Sequence, residues 1–391
     1  MNLDLDRGQW KSIKFGDIVR NINDSIKDPS AEGIDRVIAM EHLDPGELQI
    51  IRWGNIADGT TFTRRVRCGQ TLFGKRRAYQ RKAAYAEFDA ICSGDILAFE
   101  AVESKLLPEL LPFLVQSERF HANAVGTSAG SLSPRTNWKD LAAFAVSLPP
   151  IDQQRRIVDI LWAVENSTRR ERELKESATD VLRTARNEGL ASLDASPAIL
   201  GDALTGITAG RSLEGYGGSA SSDRRGVLRV SAVGPGGFVA SENKELVDQA
   251  AFLTRYAIRS GDLLVTRANT AEYVGRPAIV DRDYPNLMLS DKTLRLEVDP
   301  EIARVPFVLE TLLSAKVREA IGAVATGTGA AMKNISQEQL RSIAVPLPEL
   351  EVQDAFLSRL DAVRQTVEAT STAARTTAEL KQKIMEEVFG S

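Results

Sequence analysis

The chain contains one long internal repeat, which constrains the fold more than any single motif does. The stretch AVSLPPIDQQRRIVDIL at residues 145–161 returns as AVPLPELEVQDAFLSRL at residues 344–360, 199 positions later. In each copy a short strand-like run ends in Leu-Pro, and an amphipathic helical pattern then continues for about 40 residues. Because self-similarity at a long period sets the architecture, the sequence predicts two related globular domains, each followed by its own long helix.

The fold class that this repeat predicts is α+β, in four consecutive segments. Residues 1–150 and 196–347 are the two predicted domains, and residues 151–195 and 348–391 are the two predicted helices. Each helix has a heptad-like seam with small residues near its middle, which favours pairing of the two helices. The first seam is Ile157, Ile160, Val164, Ser167, Glu171, Leu174, Ala178, Val181 and Ala185; the second is Phe356, Leu360, Val363, Val367, Thr370, Ala374, Thr377, Leu380, Ile384 and Val388.

Shorter matches link the two predicted domains at other spacings. Phe15-Gly16-Asp17 matches Leu200-Gly201-Asp202 at an offset of 185, and Ser93-Gly94-Asp95 matches Ser260-Gly261-Asp262 at an offset of 167. The changing offsets predict that the domains differ through insertions inside their globular parts. Such variable loops on a fixed frame favour a different ligand of one class for each domain, although neutral loop drift after duplication explains them as well.

The composition is that of an ordinary globular protein. Of the 391 residues, 43% are hydrophobic and 26% are charged, and no apolar run approaches the length of a membrane span. The two cysteines, Cys68 and Cys92, indicate a reducing compartment rather than a disulfide framework. We therefore expect a cytoplasmic protein without membrane contact. Its net charge of −4 hides a local cluster, since residues 64–82 contain eight basic residues and no acidic one.

Motifs for catalysis are scarce in this sequence. Two histidines and no Cys-x-x-Cys argue against a metal centre, and neither a phosphate-binding loop nor a methyltransferase motif is present. The one nuclease-like spacing combines Asp95 with Glu103 and Lys105. We predict a chain that is not an enzyme and holds no cofactor and no metal. Gly327, Thr328 and Gly329 form a turn that suits either phosphate binding or an ordinary loop.

The order of these motifs, found twice, resembles the DNA-specificity subunit of type I restriction–modification systems. The segments that carry the resemblance in the first half are FGD at Phe15, LFGKRRAYQRK at Leu72, SGDIL at Ser93, GTSAGSLSPRTNW at Gly126 and LPPIDQQRRIV at Leu148. In the second half they are LGD at Leu200, SGDLLVTRANTAEYVG at Ser260, ATGTGAAMKNIS at Ala325 and LPELEVQ at Leu347. The second Leu-Pro unit departs from the first, reading EVQDAF where the first reads DQQRRI.

This resemblance implies a fold and a set of partners. Two target recognition domains would each read one half of a bipartite double-stranded DNA sequence, with the long helices pairing as an antiparallel coiled coil in a pseudo-twofold arrangement. Two methyltransferase subunits would bind the helices and domains, and they rather than this chain would use S-adenosylmethionine. Motor–nuclease subunits would join for cleavage. The alternatives are a non-catalytic helical scaffold that assembles partners without reading DNA, and an enzyme.

The residue types that suit DNA occur in both predicted domains. Arg and Lys contact phosphates and guanine, whereas Asn and Gln suit adenine. The candidates in the first domain are Lys75, Arg76, Arg77, Tyr79, Gln80, Arg81 and Lys82. Those in the second domain are Arg211, Tyr216, Arg224, Arg225, Arg267, Asn269, Tyr273, Lys333 and Asn334. Leu161 and Trp162, beside the seam of the first helix, are the candidate contacts for a partner protein.

Overall fold

A computed structural model describes residues 6–327 and 332–390 of the chain, so Thr328 and Gly329 of the predicted phosphate-binding turn lie outside the described residues. The chain divides into two compact units. The first comprises Met1–Glu173 together with Ser371–Ser391, and the second comprises Leu174–Thr370. Among the described residues, no helix has both the length and the apolar character needed to cross a membrane.

The first unit contains two four-stranded sheets and several helices. One sheet has the order β2-β9-β6-β7, the other has the order β4-β3-β8-β5, and β1 pairs with β10. The strands are β1 (Lys11–Lys14), β2 (Val19–Ile22), β3 (Arg36–Ile38), β4 (Gly54–Asn55), β5 (Arg64–Val66), β6 (Thr71–Gly74), β7 (Ala83–Tyr85), β8 (Ala90–Cys92), β9 (Ile96–Ala101) and β10 (Ala145–Leu148). The helices are α1 (Leu111–Gln116), α2 (Glu118–Gly126), α3 (Trp138–Ala142) and the long α4 (Ile151–Ala191), which continues into the second unit.

The second unit repeats this topology. Its sheets have the orders β12-β22-β18-β20 and β16-β13-β21-β17, and β11 pairs with β24. The strands are β11 (Pro197–Ile199), β12 (Leu204–Ala209), β13 (Gly226–Leu228), β14 (Val233–Gly234), β15 (Gly237–Phe238), β16 (Asn243–Glu245), β17 (Ala257–Ile258), β18 (Leu263–Thr266), β19 (Ala268–Asn269), β20 (Pro277–Ile279), β21 (Tyr284–Met288), β22 (Thr293–Val298), β23 (Lys333–Asn334) and β24 (Ala344–Pro346). The helices are α5 (Val305–Leu313), α6 (Ala315–Val324), α7 (Gln337–Arg341) and the long α8 (Leu350–Phe389). The predicted α+β class, with two similar globular domains each followed by a long helix, is confirmed.

The sheet order corrects one match made from the sequence. The Ser260-Gly261-Asp262 turn leads into β18, which occupies the place of β6 and not that of β9. Thr71 pairs with Phe99 in the first unit as Leu263 pairs with Leu296 in the second, so the true offsets are 192 and 197. The match at 167 was wrong because Gly-Asp turns precede many strands and carry no information on sheet position. The units still differ through insertions inside their globular parts, as predicted, because the offset rises from 185 through 192 and 197 to 199 along the chain. Only the deviation to 167 disappears.

Equivalent positions form the main cores of both units. Phe15, Phe73, Phe99 and Phe120 are fully buried around one another in the first unit. At the corresponding places the second unit buries Leu200, Val265, Leu296 and Val317. One frame is thus filled with aromatic rings in the first unit and with aliphatic side chains in the second. Cores tolerate such exchanges when the total packing is adjusted elsewhere.

The long helices pair in antiparallel fashion within each unit. In the first unit Lys381 lies 2.6 Å from Glu165, and Thr377 donates to Glu171 at 2.9 Å, so the two helices run in opposite directions. In the second unit Gly189 of α4 faces Phe356 of α8, where a Cβ atom on Gly189 would approach the ring to 2.8 Å. The predicted antiparallel pairing is confirmed in both units.

A buried acidic residue ties the helices to the globular part of the second unit. Glu310 of α5 is 2% exposed and is paired with Arg186 of α4 and with Arg364 of α8, the latter at 2.9 Å. Phe113 of α1 holds the corresponding place in the first unit, because the serines that end α1 and α5 are 197 positions apart and both hydroxyls donate to the carbonyl three residues earlier. The contact between the globular part and the long helices at this place is therefore aromatic in the first unit and ionic in the second.

The two predicted seams have different outcomes. Every seam position of α8 is buried or partly buried, as predicted. In α4, however, Leu174 and Val181 are 58% and 55% exposed, and Leu182 packs on the apolar cluster around Phe356 instead. A straight α-helix drifts by about 20° per heptad relative to a strict seven-residue repeat. Part of the α4 seam therefore turns away from α8, and the predicted seam was wrong at Leu174 and Val181.

A candidate nucleic-acid interface in both units

The basic residues after β6 lie in a junction of three segments. The amide of Lys75 donates to the Asp95 carbonyl at 2.9 Å, and the amide of Thr136 donates to the Lys75 carbonyl at 3.1 Å. The amide of Arg77 donates to the Pro134 carbonyl at 2.7 Å. Residues 74–77, 93–95 and 133–136 are thus fastened together through their backbones, and we call them the first junction. It fixes the positions from which the side chains of Lys75, Arg76 and Arg77 project.

One carboxylate at the first junction holds two arginines. Arg135 Nε lies 2.9 Å from Asp95 Oδ1, and Arg76 Nη1 lies 3.4 Å from Asp95 Oδ2. Arg76 also donates to the Ser133 hydroxyl at 3.1 Å. Burial alone would raise the pKa of Asp95, but hydrogen bonds and charge from Arg135 and Arg76 outweigh burial and hold that pKa below its ordinary value. The carboxylate is therefore charged at neutral pH and acts as an anchor for both guanidinium groups.

A strained turn follows the first junction and exposes an aromatic ring. Arg77 and Arg81 flank a 3₁₀ turn at residues 78–80 with φ angles of 54° and 55°, a left-handed conformation that is uncommon outside glycine. Tyr79, in this turn, is 57% exposed. Backbone strain of this kind persists where the surrounding structure enforces it and is frequent at ligand sites.

The two basic residues at the end of this turn are engaged within the protein. Arg81 forms a bidentate pair with Glu118, in which Nη2 and Oε2 are 2.6 Å apart, and Lys82 donates to the Met40 carbonyl at 2.6 Å. By contrast, the Lys75 ammonium group has no hydrogen bond or ion pair among residues 6–327 and 332–390. Burial, together with the charge of Arg64, lowers the pKa of Lys75. An anion that approaches the first junction would therefore find Lys75 available.

The second unit builds the same junction after β18. The amide of Arg267 donates to the Lys292 carbonyl at 2.8 Å, and the amide of Ile335 donates to the Arg267 carbonyl at 3.0 Å. Strands β19 and β23 pair beside these bonds. We call residues 266–269, 290–292 and 333–335 the second junction. Sequence reasoning named Arg267, Asn269, Lys333 and Asn334 from widely separated segments, and the structure brings them together at the place that corresponds to the first junction.

The side chains at the two junctions differ in chemistry. Lys292 occupies the position of Asp95, Asn334 that of Arg135, and Asn269 that of Arg77. No carboxylate clamp corresponds to Asp95 at the second junction, since the structurally equivalent side chain is a lysine. Lys333 donates to the Gly327 carbonyl at 3.4 Å, and the Arg276 guanidinium lies 5.8 Å from the Tyr273 ring. The second junction therefore presents amides and cations where the first presents paired arginines.

The remaining candidates of the second unit form a separate group. Arg211, Tyr216, Arg224 and Arg225 lie in the segment between β12 and β13. Arg224 pairs with Glu245 at 2.8 Å, and Arg225 donates to the Gln249 carbonyl at 3.1 Å. The ring of Tyr216 is 54% exposed, and Arg255 and then Arg211 lower the pKa of Tyr256. Within the described ranges, no hydrogen bond or ion pair joins this group to the second junction.

Acidic residues from elsewhere in the chain balance much of the basic stretch at residues 64–82. Arg65 of β5 pairs with Glu32, and Arg67, the residue that follows β5, pairs with Asp24 at 2.7 Å. Exposed pairs of this kind contribute at most about 1 kcal/mol each. The stretch is therefore not the uncompensated positive patch that its sequence indicates.

Sequence reasoning missed three residues of the junctions. As a functional residue, Asp95 was considered only within a nuclease-like spacing with Glu103 and Lys105. Its carboxylate instead binds arginines, and the Lys105 ammonium donates to the Asp17 carbonyl at 3.0 Å. Arg135 lies inside the motif GTSAGSLSPRTNW but was not singled out. Lys292 lacked any signal, because its equivalence to Asp95 depends on the corrected strand match. Only the order of the strands identifies these positions.

The two candidate partner contacts have different surroundings. Leu161 is 0% exposed and belongs to the core of the first unit, so it offers no surface to a partner. This corrects its assignment: the residue faces the globular part of its own unit. Trp162 is partly buried, with its indole donating to the Glu109 carbonyl at 3.0 Å and its ring packed against Tyr85 and Phe113.

Part of the chain is similar to a known protein family. Residues 38–179 match the family described as "Type I restriction modification DNA specificity domain". The chain is 30% identical over 143 residues to the EcoEI specificity subunit and 27% identical over 151 residues to the EcoDI specificity subunit, both type I restriction enzymes of Escherichia coli. These matches cover 37% and 38% of this chain but only 24% and 33% of the relatives' lengths.

Solved structures share the fold over nearly the whole chain. The S subunit of a type I restriction–modification system from M. genitalium has a TM-score of 0.60 at 10% identity, covering 100% of this chain and 97% of that one. A second chain, from work on complex assembly and conformational transition of the type I R-M system, has a TM-score of 0.54 at 20% identity and covers 97% of each chain. At these identities the likeness concerns the fold.

Proposed function

We propose that this chain, which carries the DNA specificity domain of the type I restriction–modification family, recognises a bipartite double-stranded DNA target with one half-site for each unit. The first target recognition domain corresponds to residues 1–150 and the second to residues 196–347, with helices at residues 151–195 and 348–391 as spacers. The chain itself is the non-catalytic part of the complex and binds no cofactor.

The observation that carries this proposal is the repeated junction. Two segments of unlike sequence, Lys75–Arg77 and Arg267–Asn269, leave equivalent strands and make equivalent backbone hydrogen bonds. Both present side chains that donate to phosphates and base edges, but the chemical groups differ. Two domains that recognise different half-sites require such a shared backbone arrangement with different hydrogen-bond donors on it.

In this proposal the long helices set the distance between the two half-sites that the chain recognises. Antiparallel pairing inside each unit and a length of 41 residues for α4 and 40 for α8 make both helices stiff spacers of similar length. Half-site separation is a geometric property of such an arrangement. In this proposal two methyltransferase subunits bind the helices and domains, using Trp162 among their contacts, and motor–nuclease subunits join the complex for cleavage.

A salt titration of DNA binding tests the proposal. In the complex with methyltransferase subunits, the double variant Arg76→Ala, Arg77→Ala should bind DNA more weakly. The slope of log K against log salt should become shallower by the equivalent of up to about two phosphate contacts. Arg67→Ala is the matched control, since this arginine belongs to the same basic stretch and has similar exposure but follows β5 and pairs with Asp24. An unchanged salt slope would remove the first junction from the DNA interface.

The alternative function is a scaffold that assembles partners without reading DNA. The pairing of Arg65, Arg67 and Arg81 with acidic residues of the chain itself favours it. Retardation of duplex DNA by the partner complex, with affinity lowered by the double variant, would exclude the scaffold. Assembly of the complex without any retardation would support it.

A further inference from the structure

The charge balance at the first junction leaves unused hydrogen-bond donors. Asp95 supplies two oxygens to Arg76 and Arg135, whereas two guanidinium groups carry about ten N–H donors between them. The side chains of these arginines are 41% and 46% exposed, while that of Asp95 is 21% exposed. The carboxylate is thus largely covered, whereas both guanidinium-bearing side chains remain partly exposed to solvent.

The clamp also restricts how these donors are oriented. Arg135 binds Asp95 through Nε and Nη2, and Arg76 is held both by Asp95 and by the Ser133 hydroxyl. A free arginine loses much rotamer entropy when it binds a ligand, so an arginine that is already held binds at a lower entropic cost. Purely electrostatic attraction to phosphate gains little from such orientation, whereas bidentate recognition of a planar acceptor pair gains much.

We propose that Asp95 is a positioning residue that holds Arg76 and Arg135 in fixed orientations, and that these two guanidinium groups read guanine in the half-site bound by the first unit. Guanine presents two adjacent acceptors, N7 and O6, in the major groove, and arginine matches this pair. The inference rests on the proposed function, because it names the base that a DNA-reading junction takes. The second junction, with Lys292 in place of Asp95 and Asn334 in place of Arg135, lacks this device.

Base selection is the first test. The full chain with its methyltransferase subunits would be used to select from a duplex library with a randomised segment, and the bound DNA would be sequenced. Wild type should enrich a bipartite sequence with guanine at one or two fixed positions in one half-site. In each of the single variants Arg76→Ala and Arg135→Ala, the position read by the missing arginine should accept any base. The sequence selected in the other half-site should stay unchanged. Arg67→Ala, the control with a single exposed carboxylate partner, should select as wild type does.

Chemical removal of one acceptor is the second test. Replacing the guanine that Arg135 reads by 7-deazaguanine should weaken DNA binding by the wild-type complex roughly tenfold. The same replacement should not weaken DNA binding by the Arg135→Ala variant any further. Arg135→Lys keeps the charge but not the bidentate geometry. It should therefore retain affinity for random duplex and lose the preference for guanine, which distinguishes recognition from general phosphate attraction.

Asp95→Asn separates positioning from a merely structural role. Loss of a negative charge next to DNA should leave binding to random duplex equal or stronger, while preference for guanine over the other bases falls roughly tenfold. Equal losses for selected and random duplex, accompanied by a lower melting temperature, would overturn the positioning role. Guanine preference that survives in all the arginine variants would overturn the inference while leaving bipartite recognition intact. Wild type that selects no sequence at all would refute the proposed function, and this inference with it.

Discussion

Gln154 and Gln353, 199 positions apart, are both fully buried and make the same three hydrogen bonds. Each amide nitrogen donates to the carbonyl of a proline before its helix, Pro149 or Pro348, and to a second carbonyl before α1 or α5. Each amide oxygen accepts a backbone N–H, from Leu107 or from Arg304. The glutamine fastens the start of the long helix to the globular part, which explains why this stretch of sequence occurs twice.

Replacing either glutamine by leucine should therefore destabilise the unit to which it belongs. One buried and two partly buried backbone groups lose their partners, so we expect the free energy of unfolding to fall by roughly 2–4 kcal/mol for Gln154→Leu or Gln353→Leu. Urea denaturation measures the change, and hydrogen exchange at the first turn of α4 or α8 locates it. Gln382→Leu, at an exposed position of α8, is the control and should change stability little. Wild-type exchange rates at both helix starts in the glutamine variants would contradict this role.

The buried ionic cluster should be replaceable as a whole but not in part. Glu310→Leu leaves Arg186 without a carboxylate partner and Arg364 with only the exposed Asp361. Loss of one partner from a buried pair costs about 3–5 kcal/mol. The triple variant Arg186→Met, Glu310→Leu, Arg364→Met should recover most of this loss, because Phe113 fills the equivalent place in the first unit without any charge. Urea denaturation of the single and triple variants compares the two. A triple variant no more stable than Glu310→Leu would show that the ionic cluster is required.

Stability of the first unit should depend on pH through His121. This side chain is 2% exposed, and burial, with a smaller effect from the charge of Arg81, lowers its pKa to about 4. The unfolded chain binds the proton at a pKa of about 6.5, so stability is complete above that value and falls as the pH decreases towards 4. By pH 5 the loss should reach about 2 kcal/mol.

His121→Leu should reduce the difference in unfolding free energy between pH 7 and pH 5, as measured by urea denaturation at both values. Each protein is compared with itself at the two pH values. A change in unfolding free energy that comes from altered packing and does not depend on pH therefore cancels. An equally steep pH dependence in the variant would assign the effect to other groups. The Glu118 carboxyl is not one of them, because its hydrogen bond with Arg81 lowers its pKa and its contribution is lost only below this pH range.

The length of the paired helices should set the distance between half-sites. Inserting one helical turn after Glu173 and another after Thr370 lengthens both helices by about 5.4 Å, equivalent to roughly one or two base pairs. Methylation mapping in cells that carry all the subunits should then show a longer spacer with the same two half-sites. Insertion into α4 alone is the control, and it should disturb pairing rather than change the spacing. Retention of the original spacer by the double insertion would refute the spacing role.

Local patterns in the sequence determined the repeat, the two long helices and the seam of α8. Leu-Pro ends a strand and starts a helix through backbone constraints that act between neighbours, and apolar residues at helical spacing define a buried face. These signals depend on residues a few positions apart. They therefore predicted α4 and α8, which the structure places at Ile151–Ala191 and Leu350–Phe389.

Only the tertiary structure decided which strands and side chains correspond. The sheet order moved Ser260-Gly261-Asp262 from the place of β9 to that of β6, and this shift made Lys292 the counterpart of Asp95. Asp95 meets Arg135 across 40 positions of sequence, and Glu310 meets Arg186 across 124. Such pairs depend on how distant segments pack together. Propensity and periodicity act over a few residues and hold no information about contacts of this kind.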